Sequence, residues 1–229
     1  MIRMHRFFAV FPALPAFPAL PALPALPALP ALPALAIMIA LSGCSGKPPE
    51  DKDYASRLTG DRQTKDAQFK EENEPVPPNR KAKLLPLAYF PIDPEYNVPA
   101  ALKPAESETI VEMPTSTGKP RSTRIIGTLE FVLKGQPLKL TASVDAQAPN
   151  LDHITVMFTD LTSGTETYPG GRYIDLDRNV SGIYELDFNR AYNPWCYYNE
   201  SYECPYPPRE NRLKVPIRVG ERLKSEAKS

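Results

Sequence analysis

Two carboxylates in the stretch 172–211, Asp187 and Glu210, are the side chains best suited to catalysis. Together they could perform acid–base chemistry if their surroundings held their two pKa values apart. The guanidinium, phenol and amide groups of the same stretch could instead bind a polar ligand without catalysis. The candidate ligand-binding residues are Arg172, Tyr173, Asp187, Asn189, Tyr192, Asn193, Glu210 and Asn211.

The sequence also leaves a purely structural role open for this polar set. Asparagine and aspartate cap turns and satisfy buried backbone groups, and Arg172 could form a salt bridge with Asp187 or Glu210. An enzyme needs the two carboxylates to face one cleft. A binding domain needs only an aromatic-walled groove with exposed hydrogen-bond donors, and a scaffold without a pocket would use the whole set to satisfy its backbone.

Aromatic side chains are concentrated in the same stretch. Rings beside amide groups form binding sites for glycans and peptides, and they also cover the ends of small β-domains. The predicted ligand is therefore a small molecule, a glycan or a peptide, with a lid over the core as the alternative. The rings belong to Tyr192, Trp195, Tyr197, Tyr198, Tyr202 and Tyr206.

Two cysteines, Cys196 and Cys204, are separated by seven residues in this stretch. In an exported protein such a pair favours a disulfide, which would stabilise the fold by about 2–3 kcal/mol by restricting the unfolded chain. Free buried thiols are the alternative. A metal site would need two further ligands, and the spacing matches no zinc pattern, so we predict neither a metal nor a cofactor.

His153 is the only histidine after residue 43, and it could activate a serine nucleophile. The candidate serines, Ser116 and Ser163, do not lie in a nucleophile elbow. We therefore predict that His153 is a surface residue at the start of a strand.

The first 43 residues predict export. Arg3 and Arg6 precede a Pro-Ala-Leu repeat over residues 12–35, and an apolar segment follows over residues 34–41. This order of basic and apolar segments is typical of a signal peptide. An ordinary signal peptide or an uncleaved anchor would share these features. Residues 41–44 distinguish these alternatives from a lipoprotein signal.

Leu41-Ser42-Gly43-Cys44 resembles the bacterial lipobox. The resemblance implies cleavage before Cys44 and its acylation, and two or three palmitate-like chains anchor a protein stably to a membrane. Ser45 follows instead of aspartate, which by resemblance to Gram-negative sorting implies the periplasmic side of the outer membrane. Residues 44–53 then form the acylated cysteine and a polar tether.

Charge and patterning indicate one β-rich domain over residues 54–222, followed by a polar tail over 223–229. The chain has 27 basic and 27 acidic residues, a balance that excludes nucleic acid as a predicted partner. A short amino-terminal helix is predicted to break near Gly60. Short alternating segments separated by glycine and proline then predict a mainly β fold, an antiparallel barrel or sandwich.

The unusual blocks of this domain are residues 87–96, 113–118, 167–175, 186–194 and 204–213. Together these blocks resemble the bacterial domain-of-unknown-function family numbered 1684. The resemblance extends over residues 54–222 and implies the extent of the domain, but it implies no activity and no catalytic residue. It leaves an envelope lipoprotein with a binding or structural β-domain as the leading hypothesis. The alternative is a hydrolase acting on an envelope polymer or a small ester.

Overall fold

The computed structural model describes residues 52–224. The predicted signal peptide, the Cys44 acylation site, most of the tether and the end of the polar tail lie outside the described residues. No helix within the described range is both long enough and apolar enough to span a bilayer.

The fold is mainly β: an antiparallel, nearly closed, barrel-shaped sheet preceded by an amino-terminal helix, as predicted. The sheet has six strands in the order β5-β4-β3-β2-β1-β6. Each strand therefore neighbours the next one in sequence, except that β6 pairs with β1 at the far edge. The strands are β1 (Asn97–Met113), β2 (Arg121–Leu133), β3 (Gln136–Asp145), β4 (His153–Phe158), β5 (Arg172–Asp177) and β6 (Ile183–Asp187).

The core forms because apolar side chains alternate along these strands and point to one face of the sheet. On β2, Leu129, Phe131 and Leu133 are buried while the residues between them are more exposed. Phe158 and Phe188 pack edge to face with their ring centroids 5.4 Å apart. The interior of the barrel is therefore a packed apolar core rather than a channel.

Helix α1 (Lys52–Glu71) is continuous over 20 residues, so the predicted break near Gly60 is wrong. An interior glycine costs a helix only about 1 kcal/mol relative to alanine. Burial of Tyr54, Leu58 and Phe69 against the rest of the domain offsets that cost. Two shorter helices follow, α2 (Pro78–Leu84) and α3 (Trp195–Tyr198), together with 3-10 turns at Pro94–Tyr96, Phe188–Arg190 and Arg209–Asn211.

A large bulge interrupts the pairing of β1 with β2. Pro104 pairs with Gly127 and Thr109 pairs with Ile125, so residues 105–108 face a single residue of β2. Gly127 has φ 155°, and a Cβ atom there would lie 2.2 Å from the carbonyl oxygen of Lys103. This close approach of two backbones requires glycine.

Two alanine substitutions should change stability in opposite directions. Gly127→Ala should lower the free energy of unfolding by roughly 2 kcal/mol or more, because the added methyl group forces the two backbones apart. Gly60→Ala should raise it by about 1 kcal/mol, because its methyl group meets nothing within 4 Å and favours the helix. Urea denaturation of both variants measures the difference, and two equal shifts would contradict the described backbone.

Candidate functional site

The two candidate catalytic carboxylates occupy different surroundings. Asp187 is 2% exposed, and its oxygens accept hydrogen bonds from the Tyr54 hydroxyl and the Asn189 backbone N–H, each at 2.9 Å. Arg190 Nε lies 3.4 Å from the same carboxylate. Glu210, by contrast, is exposed in a 3-10 turn. A buried carboxylate that holds α1 and an exposed one do not form the shared cleft that paired catalysis needs.

Two of the candidate asparagines satisfy backbone groups. The Asn189 side chain accepts from the N–H of Asp93 and donates to its carbonyl, both at 2.9 Å. Asn211 accepts from the N–H of Thr141 at 2.7 Å and donates to the carbonyls of Thr141 and Met157 at 2.9 and 2.7 Å. The Asn211 side chain thus supplies hydrogen bonds between β3 and β4, where the two strands have little regular pairing.

Arg172 is buried, with 1% of its surface exposed. Its guanidinium donates to the carbonyls of Val219, Glu221 and Ile217 at 2.5, 3.0 and 2.7 Å. A salt bridge of 3.0 Å joins it to Asp160, rather than to either carboxylate that the sequence suggested. Burial lowers the pKa of Arg172, and the Asp160 carboxylate opposes that effect. Arg172 therefore fixes the carboxy-terminal segment against the sheet.

Neutralising the partner of Arg172 should destabilise the fold strongly. We expect Asp160→Asn to lower the free energy of unfolding by about 3–5 kcal/mol, because it leaves a buried guanidinium without a counter-charge. Glu130→Gln serves as the matched control, since it removes an exposed salt bridge to Lys103 and should cost less than about 1 kcal/mol. Equal urea midpoints for the two variants would show that the buried pair does not hold the segment.

Glu221 is a buried carboxylate that sequence reasoning missed. It is 1% exposed and accepts hydrogen bonds from Lys65 Nζ at 2.5 Å, from the Asn193 backbone N–H at 2.8 Å and from the Tyr198 hydroxyl. Burial, and then the Glu221 carboxylate, raises the pKa of Tyr198, so this hydroxyl stays protonated and donates. Nothing in the local sequence separates Glu221 from an ordinary surface acid.

Aromatic rings surround the Lys65 ammonium. Its Nζ atom lies 5.1 Å from the ring centroid of Tyr192, 5.3 Å from that of Phe69 and 6.0 Å from that of Tyr198. Such rings attract a cation through their negative faces. Together with Glu221 they position α1 beside the carboxy-terminal half of the chain.

Two depressions, of about 520 and 360 Å³, share Tyr192 and Trp195 in their walls. We call them together the Trp195 groove. Trp195 is 49% exposed and packs edge to face on Tyr202 with ring centroids 5.0 Å apart. A large, half-exposed indole held by a second ring is an unusual surface feature, since most exposed apolar groups are smaller and isolated. Tyr173 lines the smaller depression.

The groove also carries charged groups, each held by a neighbour. Asp61 pairs with Arg190 at 2.9 Å. The Asp175 carboxylate accepts from the Tyr192 hydroxyl at 2.7 Å.

In the smaller depression Arg121 pairs with Asp145 at 3.0 Å, and Glu203 accepts from Thr117 at 2.6 Å. The charges are thus preorganised, and two cations, Lys65 and Arg121, stand beside three carboxylates.

The groove overlaps the predicted ligand residues only in part. Tyr173 and Tyr192 line it, whereas the remaining candidates do not. Asp61 and Lys65 are groove residues that the sequence did not single out. They lie four residues apart on α1, a spacing that indicates one helix face, but an acid and a base on a polar helix are too common to mark a site. The candidates outside the groove are Arg172, Asp187, Asn189, Asn193, Glu210 and Asn211.

Cys196 and Cys204 are free, buried thiols, so the predicted disulfide is absent. The Cys204 sulfur instead accepts a hydrogen bond of 3.1 Å from the Cys196 backbone N–H. The Cys204 thiol in turn donates to the Cys196 sulfur and lowers the pKa of Cys196 to about 6, although burial opposes this shift. The two sulfurs thus interact as hydrogen-bonded groups. No cluster of metal-ligating side chains is found in the described range.

His153 is exposed at the start of β4, where its Nδ1 atom lies 3.5 Å from the Asp177 carboxylate. This is the surface position that the sequence predicts. The candidate serine Ser163 is hydrogen-bonded elsewhere, since its hydroxyl accepts from the Asp160 N–H at 3.0 Å.

A family model described as "Protein of unknown function (DUF1684)" matches residues 83–222. The chain belongs to this family. It is also similar to the solution NMR structure of an uncharacterized protein from Haloarcula marismortui, with 35% sequence identity and a TM-score of 0.60. The similarity covers 75% of this chain and 95% of that chain. No curated protein matches the sequence.

The DUF1684 match begins after α1, and this boundary divides the Trp195 groove. Tyr192 and Trp195 lie within the matched residues, whereas Asp61 and Lys65 precede them. One wall of the larger depression therefore comes from a helix outside the family match. Neither the family nor the solved relative assigns an activity.

Proposed function

We propose that this protein is an envelope lipoprotein whose DUF1684 domain binds a ligand in the Trp195 groove without changing it chemically. Cys44 would carry the acyl chains, and the polar tether would hold the domain on the periplasmic side of the outer membrane. The lipobox at residues 41–44 supports the anchor, since acyl chains attach a protein to a membrane without a spanning helix.

The observation that carries the binding proposal is the pair of depressions joined by Tyr192 and Trp195. Their volumes fall within the range of ligand sites, roughly 300–1,000 Å³. Tyrosine and tryptophan provide large contact surfaces that are already ordered, so a ligand loses little side-chain entropy when it binds against them. An ordered, exposed indole beside fixed polar groups is suited to recognition.

The charges of the groove favour a neutral glycan. Lys65 and Arg121 are balanced by Asp61, Asp175 and Glu203, so the groove has no strong preference for an anion or a cation. Carboxylates and guanidinium groups hydrogen-bond to hydroxyl groups, and the apolar C–H face of a sugar ring can pack on the Trp195 indole. We therefore assign the ligand to neutral oligosaccharides.

The alternative hypothesis, a hydrolase acting on an envelope polymer or a small ester, lacks a supporting arrangement. Asp187 is buried and occupied by Tyr54 and Asn189, whereas Glu210 is exposed. The carboxylates that do line the groove are held as well, Asp61 by Arg190 and Asp175 by Tyr192. The geometry therefore favours binding over acid–base catalysis.

Binding in the groove can be tested on the mature chain, residues 44–229, produced without its signal peptide and therefore without lipid. The probes are two neutral oligosaccharides, a β-1,4-linked N-acetylglucosamine tetramer and maltotetraose. We expect at least one of them to change the fluorescence of Trp195, the only tryptophan, in a saturable way. Trp195→Ala should weaken that binding at least tenfold by calorimetry. The matched control is Tyr206→Ala, which removes an exposed ring outside the groove.

Three results would overturn the glycan assignment: no saturable binding of either probe, equal losses in the two variants, or saturation by a proline-rich peptide alone. Circular dichroism of each variant separates a binding defect from misfolding.

The anchor makes a separate prediction in the native host. Mass spectrometry of the membrane fraction should find an amino-terminal peptide that begins at an acylated Cys44, and Cys44→Ala should remove both cleavage and acylation. An unmodified amino terminus upstream of Cys44 would refute the lipid anchor, whatever the outcome of the binding measurements.

A further inference from the structure

A third depression, of about 340 Å³, lies beside the bulge between β1 and β2 and shares no residue with the Trp195 groove. We call it the bulge pocket. Pro104, Ala105 and Ser107 come from the bulged segment of β1, and Ile125 and Ile126 come from the facing part of β2. The irregular pairing thus shapes this part of the barrel wall, and bulges commonly occur beside functional sites.

The floor of the bulge pocket is the apolar core itself. Ile154 and Tyr184 line the pocket and also belong to the main core cluster. Leu102, Ile126 and Leu151, which are half-buried, pack against that cluster and complete the apolar walls. An alkyl chain that binds here would move from water into contact with core side chains. Each buried methylene would contribute favourably to the free energy of binding.

Cationic groups supply the polar part of the same pocket. Arg124 and Arg178 both line it. Arg178 is exposed and forms no ion pair with any side chain that the structure describes, while its backbone N–H donates to the Asp152 carbonyl at 2.9 Å. The neighbouring Asp177 carboxylate lies 3.5 Å from His153 Nδ1 and does not pair with Arg178. A guanidinium group is a planar fork that matches a carboxylate.

We propose that the bulge pocket binds a free fatty acid of medium chain length. The alkyl chain packs against Leu102, Ile154 and Tyr184, and the carboxylate pairs with Arg178. Apolar walls alone would accept any hydrocarbon, whereas a guanidinium at the same pocket selects an amphiphile with an anionic head. This site is independent of the Trp195 groove and of the ligand assigned there.

The test follows isoleucine methyl groups by NMR in the mature chain, residues 44–229, with sodium decanoate below its micelle concentration. Decanoate should shift the Ile154 and Ile126 methyl signals saturably, with weaker binding of hexanoate because its chain is shorter. Decanol should also bind more weakly, because it lacks the charge. Ser107→Trp, at an exposed position of the bulge, should block binding by filling the pocket.

Arg178→Gln should weaken decanoate binding at least fivefold and leave decanol binding unchanged. Arg209→Gln is the matched control, since it removes an exposed arginine outside the pocket, and it should change neither. The proposal fails if decanoate leaves the Ile154 methyl signal unchanged, if decanol binds as tightly as decanoate, or if both arginine variants behave alike. A shift confined to residues of the Trp195 groove would also overturn it.

Discussion

The buried guanidinium of Arg172 holds together the part of the molecule that contains the candidate site. It donates to three carbonyls of the segment 217–221 and pairs with Asp160. That segment has no regular strand partner, so these three carbonyls would otherwise be buried without hydrogen bonds, which is costly. A charged donor with several N–H groups satisfies them together and fixes the path of the chain.

The consequence of this fixed path is the position of Glu221. Its backbone carbonyl accepts from Arg172. Its carboxylate accepts hydrogen bonds from Lys65 of α1, from Tyr198 of α3 and from the backbone N–H of Asn193. One buried carboxylate thereby joins α1 and residues 193–198 to the carboxy-terminal segment. The Trp195 groove lies where these segments meet, so its shape depends on interactions beneath it as well as on the residues that line it.

The distribution of polar residues explains why the strongest sequence candidates are mostly structural. A small barrel in which the strands β4 to β6 are short leaves many backbone groups unpaired at its ends. Asparagine, aspartate and arginine are the side chains that satisfy them. Asn189 and Asn211 each bind both a donor and an acceptor of the backbone. Residues of this kind look like a ligand site in the sequence because both roles use the same chemistry.

Patterns within short segments were sufficient to predict the β class, since alternation along a strand reflects one buried face. Residues 138–144 alternate in this way, and they lie within β3. The same local view failed at Gly60, where packing of α1 outweighs the weak preference of one glycine. It also failed for the two cysteines, because closeness along the chain does not decide how two sulfurs interact.

The sequence by itself determined the mainly β class, the exposed position of His153 and membership of an uncharacterised family, because each depends on local pattern or on local residue blocks. Only the tertiary structure decided which polar side chains are buried, that Arg172 pairs with Asp160, and that Lys65 meets Tyr192 and Trp195 in one groove. Several of those outcomes depend on contacts between residues far apart in sequence, such as Lys65 with Glu221, which are 156 positions apart. No periodicity within a segment encodes such contacts, since they arise only when the whole chain has packed.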